Sequence, residues 1–365
     1  MGEFTSVDDE DILKFIESSK PKIYIVGTGG SGSNTIDRLY DLGVEGATLM
    51  AMNTDAPHLI KVRAERKLLL GKKVTKGLGA GSDFTVGEEA AKESKEEIKH
   101  MLADANMVFV TCGLGGGTGT GSIDTIAREA KELGALTIAI VTLPFSSEGK
   151  TRMKNALEGL AKLKKTADTT IIIHNDKLLS IAPDLPLNMA FKVSDEVLAN
   201  AAKGIVEMIT KPGMVNIDFA DLKMVLKSSG YAVISSGESS QQTDRKKNRA
   251  LVALENAVKS PLLDVDLGTA KKALINVVGG ESLTLREAES IFQEVSSMIN
   301  TDALIKWGAR IDKDMAKESL KVMVVISGVE FTEYSDENIE KKVDELSNLD
   351  LDEVFEGDKK KPINL

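Results

Sequence analysis

Two glycine-rich turns, each set between an apolar run of strand length and a segment of helical periodicity, constrain this chain more than any other feature. The first reads Gly27-Thr28-Gly29-Gly30-Ser31-Gly32-Ser33-Asn34, the second Gly113-Leu114-Gly115-Gly116-Gly117-Thr118-Gly119-Thr120-Gly121-Ser122. Glycine reaches positive φ and lets backbone approach an anion closely. The unpaired N–H groups and the dipole at the start of the following helix attract phosphate oxygens. One such turn is explained by tight packing of a helix on a strand; two in the same sheet point to a pair of phosphate loops.

The surrounding pattern supplies the sheet. Apolar runs at 22–26, 48–52, 107–111, 136–143 and 169–173 alternate with helical spacing from about 34 and over 87–102, 122–133 and 152–164. Short buried strands joined by helices require crossover connections, which predicts a Rossmann-like, largely parallel α/β sheet covered on both faces. A long helix over 187–209 follows, stopped by Lys211-Pro212-Gly213. Beyond it, helices at 219–227, 247–258 and 285–298, strands at 232–235 and 273–278, and paired strands at 303–311 and 320–327 predict a smaller mixed α/β unit.

At 365 residues the chain exceeds the size at which one core stops growing. The expected organisation is an acidic lead-in helix at 1–20, a nucleotide-binding domain at 21–210 including the central helix, a second domain at 211–330, and a tail at 331–365. The tail reads as partly disordered because 333–365 carry 11 acidic and 5 basic side chains.

Several function classes drop out. A formal charge of −10 opposes nucleic-acid binding, and a single cysteine, Cys112, rules out an intrachain disulfide or a cysteine zinc site. His58, His100 and His174 lack metal-ligand spacing and read as surface or structural residues, so no protein metal site is expected. No apolar run approaches about 20 residues, so no direct membrane insertion is expected. Gly149-Lys150-Thr151 is not a Walker A loop, because Pro144 stands where its first glycine belongs. Gly27, Gly29 and Gly32 do satisfy G-x-G-x-x-G, with Asp55 near the place of a ribose-binding acid, so a Rossmann-type NAD oxidoreductase is a rival reading. It leaves the second glycine loop without a purpose, and the sequence offers no acid/base constellation for hydride transfer.

The run Gly115–Gly121 resembles the signature of the tubulin/FtsZ superfamily, and the resemblance extends over about 22–330. Gly77-Leu78-Gly79-Ala80-Gly81, Asn175-Asp176-Lys177-Leu178-Leu179 (a loop after the fifth strand), Phe191-Lys192-Val193-Ser194-Asp195 and Asn216-Ile217-Asp218-Phe219-Ala220-Asp221 resemble further family segments. The wording of Val110–Leu114 is closer to archaeal than to bacterial members.

The resemblance implies a GTP/GDP-binding GTPase that uses Mg²⁺ and assembles with itself into head-to-tail filaments at a mid-cell division ring in the cytoplasm. It implies that Gly29, Gly30, Ser31, Asn34 and Gly115, Gly116, Gly117, Thr118 and Gly119 surround the phosphates, with Ala80 and Gly81 near the γ-phosphate. Pro144, Glu148 and Arg152 would stand on the ribose and phosphate side, Asn175 and Asp195 would read guanine, and Phe191 would stack on the base. Asp218, Asp221 and Asn216 would form a catalytic loop presented to the GTP of the next subunit. Alone, the two aspartates read as an acidic first helical turn. The bacterial adaptor-binding peptide is absent; 346–355 or 361–365 would take its place in contacting a membrane-anchoring adaptor. A nucleotide-binding regulator of the same fold that neither polymerises nor hydrolyses stays open as an alternative.

Overall fold

The computed structural model describes residues 20–181, 186–240, 248–263, 265–329 and 336–356. Six parallel strands run in the order β3 (Arg66–Leu69), β2 (Ala47–Asn53), β1 (Ile23–Thr28), β4 (Met107–Gly113), β5 (Leu136–Leu143) and β6 (Thr169–His174). Every residue of β1 and of β5 is buried, which is why they read as unbroken apolar runs and not as alternating ones. One buried cluster gathers Ile25, Ile36 and Phe109 with the central helix, and a second gathers Val26, Val110, Ile123 and Leu160 on the other face.

The chain leaves β1 toward β2 and β3, then returns to the other side of β1 with β4. The carboxyl ends of β1 and β4 therefore flank the point where strand order reverses, the place where open α/β sheets bind ligands. Each glycine turn follows one of these two strands. Helices α1 (Gly29–Asp41), α2 (Ala56–Lys61), α3 (Phe84–Glu93), α4 (Lys95–Leu102), α5 (Gly117–Glu132), α6 (Lys150–Thr166) and α7 (Asn175–Ile181) make the connections.

Helix α8 (Leu187–Thr210) crosses the sheet, with Leu198, Ala202 and Ile205 buried against it. The second unit holds α9 (Phe219–Leu226), β7 (Gly230–Ser240), α10 (Arg249–Val258), β8 (Lys272–Gly279), α11 (Leu285–Met298), β9 (Leu304–Ile311) and β10 (Ser319–Ser327). Its strands continue the first sheet through three β6–β7 residue pairs, giving ten strands that end in the order β6-β7-β10-β8-β9.

Four expectations are corrected. Strands 303–311 and 320–327 are not partners: the α11 crossover sets β9 parallel to β8, and β10 inserts antiparallel between β7 and β8. The helix expected over 87–102 is two helices broken at Ser94, whose buried hydroxyl accepts the Gly71 N–H at 3.0 Å. The segment read as a loop at 175–179 is α7, following the sixth strand because β3 had escaped the pattern. The tail contains α12 (Asp336–Glu356), which buries Ile339 in the cluster holding Leu157 and Leu160. The lead-in at 1–19 and the end at 357–365 lie outside the described residues.

Candidate functional site

A cavity of about 560 Å³ opens at the carboxyl ends of β1, β4 and β5, walled by both glycine loops. Helices α1 and α5 begin inside those loops, at Gly29 and Gly117, and not at 34 and 122, where apolar periodicity first becomes visible. Neither helix has a side-chain cap or an acidic residue in its first turn. Two sets of free N–H groups, with two helix dipoles behind them, are thus left for an anion.

Gly30 and Gly116 face open space in the cavity, whereas Gly29 and Gly115 shape it from behind. Gly29 has φ +70° and lies so close to the second loop that a Cβ would stand 2.7 Å from Gly119 N. At Gly115, with φ +102°, a Cβ would stand 2.8 Å from the Arg152 carbonyl. Ser31, Asn34, Gly117, Thr118 and Gly119 line the cavity, as do Ala80 and Gly81 of the third loop. A 2.6 Å hydrogen bond between the Thr54 and Thr118 hydroxyls ties the second loop to the end of β2.

The opposite end of the cavity is built by α7 and the first turns of α8. Asn175 is buried, and its carbonyl accepts the Ser194 hydroxyl at 2.7 Å, leaving the amide NH₂ as a donor. Burial pushes the Asp195 carboxyl up to about 6, against the pull of Ser31 Oγ (2.9 Å) and Asn34 Nδ2 (3.4 Å). Phe191 stands edge-on to the buried Phe145, centroids 5.3 Å apart at 85°, and is 37 % exposed, leaving ring surface for a stacked base. Pro144, Glu148 and Arg152 complete the wall, the last two ion-paired with each other.

Asn53, Asp55 and His58 also line the cavity, and none had been assigned a role in nucleotide binding by the resemblance. Asp55 caps α2 by accepting the His58 N–H at 2.9 Å. His58, read as surface or structural, is a cavity residue. The available signal was position: all three lie at or just after the end of β2, on the side of the sheet to which the glycine loops belong.

Asn216, Asp218 and Asp221 do not line the cavity. Asn216 accepts the Gly213 N–H at 2.7 Å, Asp218 caps α9 by accepting the Asp221 N–H at 2.7 Å, and Asp221 pairs with Lys306 of β9 at 2.6 Å. The Lys306 ammonium holds the Asp221 carboxyl below the usual carboxylate range. β9 lies six strand spacings from β4, roughly 29 Å at 4.8 Å each. In addition, the part of α8 from Asp195 to Thr210, about 22 Å of helix, separates the base end of the cavity from the segment that carries the acids.

Two uncapped helix starts, a buried carboxylate and amide, and a half-exposed aromatic ring thus share one cavity, the kind of lining that suits a phosphate-bearing ligand with a planar polar base. Residues 22–183 match the family described as "Tubulin/FtsZ family, GTPase domain", and residues 230–330 match "FtsZ family, C-terminal domain". Cell division protein FtsZ 1 of Methanocaldococcus jannaschii is 51 % identical over 345 residues, covering 94 % of this chain and 93 % of its own. The structure described as an empty FtsZ dimer of M. jannaschii superposes with a TM-score of 0.83 at 52 % identity, covering 91 % and 96 % of the two chains. The GTPγS-bound protofilament structure of CetZ2 from Haloferax volcanii, at 20 % identity and TM-score 0.77, covering 90 % and 99 %, shares the fold. The chain belongs to the tubulin/FtsZ family, in its FtsZ branch. It is a GTPase that binds GTP and GDP, with Mg²⁺ as the ion. Among the described residues no group of three His, Cys, Asp or Glu side chains could cage a metal. Mg²⁺ characteristically binds through substrate phosphates, waters and one or two protein ligands, so the donor set fits an ion carried by the nucleotide, where it would neutralise phosphate charge.

Proposed function

We propose that this chain is a cell-division filament protein whose GTPase site is completed between neighbouring subunits. Gly30, Ser31 and the Gly116–Gly119 run hold the phosphates, Ala80 and Gly81 border the γ-phosphate, Asn175 and Asp195 read guanine, and Phe191 stacks on it. Asp218 and Asp221, with Asn216 shaping their loop, polarise the water that attacks the GTP of the next subunit. The free N–H groups of the two loops stabilise charge that builds on the transferred phosphoryl group.

The observation that carries this reading is the separation of the acids from the cavity by six strand spacings and by the part of α8 beyond Asp195. No side chain spans that gap, so a complete site needs a second copy applied head to tail. Such a contact joins unlike surfaces and, unless it closes into a ring, propagates as a filament. Exposed apolar side chains at both ends support it: Ile60 and Leu78 near the cavity, Met214 and Met224 near the acids. A membrane-anchoring adaptor engaging the C-terminal end of the chain would bring such filaments to mid-cell.

Mixing two inactive variants tests the proposal. A protein with Gly117→Val in the second loop and one with Asp218→Asn should together regain activity, at junctions that pair an intact cavity with an intact acid loop. No recovery despite demonstrated co-assembly would place the whole active site within one chain.

A further inference from the structure

The cavity holds one titratable ring to which neither the family resemblance nor the proposed chemistry gives a role. His58 sits between Asn53 at the end of β2 and Asn34 of α1. Asn53 Nδ2 lies 3.4 Å from His58 Nδ1, His58 Nε2 lies 3.1 Å from Asn34 Oδ1, and Asn34 Nδ2 lies 3.4 Å from Asp195 Oδ2. These contacts form a chain from the buried end of a strand to the carboxylate that reads the base.

Proton counting fixes the direction of every link. At the strand end, the Asn53 carbonyl accepts the Asp55 N–H at 3.2 Å, so its NH₂ faces His58 and Nδ1 must be an acceptor. At the other end an ionised carboxylate accepts only, so Asn34 turns its NH₂ toward Asp195 and its carbonyl toward His58, and Nε2 must carry the proton. Two independent constraints thus demand the same neutral tautomer. The reverse orientation of Asn34 would set its carbonyl oxygen against the carboxylate.

We propose that His58 is a positioning residue for guanine recognition: its Nε2–H locks Asn34 with the amide NH₂ toward Asp195, which aims the carboxylate at the N1–H and N2–H edge of the base. The assignment rests on Asp195 as the base reader. Asn53 anchors the relay because it is 2 % exposed, with both ends of its amide engaged by β2–α2 neighbours. His58 in turn passes that fixed geometry across the cavity wall, from the α2 side to the α1 side. Without it, Asn34 is exposed and free to turn, and one of the two hydrogen-bond donors on Asp195 is no longer held.

The experiment measures GTP and ITP affinities of the full chain, because hypoxanthine keeps N1–H and O6 but lacks the 2-amino group that a well-aimed carboxylate accepts. His58→Ala and His58→Phe should reduce the GTP-over-ITP preference about five- to tenfold, the order of one aligned hydrogen bond. His58→Gln, which supplies a donor at a similar reach, should restore most of it. A role confined to packing would weaken both nucleotides equally in His58→Ala, and an unchanged ratio overturns the proposal. Asp195→Ala separates the two levels. If it abolishes the preference while His58→Ala keeps it, only the relay fails; if Asp195→Ala itself keeps the preference, base reading by Asp195 fails and the relay with it.

Discussion

Lowering the pH from 7 to 5 should weaken GTP binding by about tenfold through Asp195 alone. Burial holds that carboxyl at about 6 against an ordinary 3.8. On the proposed reading the ionised form accepts two guanine hydrogens, and the protonated form must first lose its proton. At pH 7 roughly nine molecules in ten carry the charged group and at pH 5 roughly one in ten, which gives the tenfold change. Stability of the nucleotide-free protein moves the other way. A carboxyl raised in the folded state binds more protons there than in the unfolded chain, so stability falls as pH rises from about 4 to about 6 and stays lower above. The full shift corresponds to about 3 kcal/mol as an upper bound. Asp195→Asn should therefore raise the denaturation midpoint of the free protein at pH 7.5 while weakening GTP binding. Calorimetric titrations of wild type and Asp195→Asn over pH 5–8 cancel the titration of the triphosphate itself. If their affinity ratio does not change with pH, or if the variant is less stable than wild type, the account of Asp195 as a carboxylate held charged at a cost in stability is wrong.

Three further outcomes follow from local geometry. Asp218→Asn keeps the cap on α9 and should lose roughly 10²–10⁴ in turnover with GTP binding intact, whereas Asp218→Ala should also lose about 1 kcal/mol of stability in urea titration. Glu207→Ala removes one of the two carboxylates on the buried Arg310 guanidinium, the one at 2.8 Å, and leaves Asp312, also at 2.8 Å, and should cost about 1–3 kcal/mol in chemical denaturation. Ending the chain after residue 330 removes α12 and uncovers the surface that Ile339 buries; the loss should be about 2 kcal/mol or more by thermal unfolding, with GTPase activity retained because every cavity residue precedes the cut.

What the sequence made legible follows physical lines. The residues of β1 and β5 announce themselves because burial on both faces keeps charged side chains out and leaves a nearly continuous apolar run, whereas β3, with Arg66 and Lys67 exposed at the sheet edge, carries no such signal. The starts of α1 and α5 are hidden because glycine has no side chain to show periodicity, although those starts are what the site is made of. The partner of β9 depends on where β10 inserts, a competition between strands that no local pattern records. That the two glycine loops meet at one cavity could be expected from phosphate chemistry alone, while the presence of Asn175, Phe191 and Asp195 in the same wall was expected only through the resemblance, since each also reads as an ordinary cap, core or surface residue. His58 stayed hidden because its partner Asn34, and Asp195 beyond it, come from two other elements. Asp218 and Asp221 do stand at the acidic helix start that their spacing alone suggested, where they also form a reciprocal cap on α9, a contact that the spacing reading had not named.

The central claim, a site divided between subunits, is tested most directly by the GTPase rate per subunit as a function of protein concentration with GTP and Mg²⁺ in excess. The account predicts negligible turnover below a threshold concentration, followed by a rise that tracks light scattering from assembly, because an isolated chain cannot bring Asp218 and Asp221 to its own phosphates. A rate per subunit that stays constant through dilution well below the scattering threshold would contradict it.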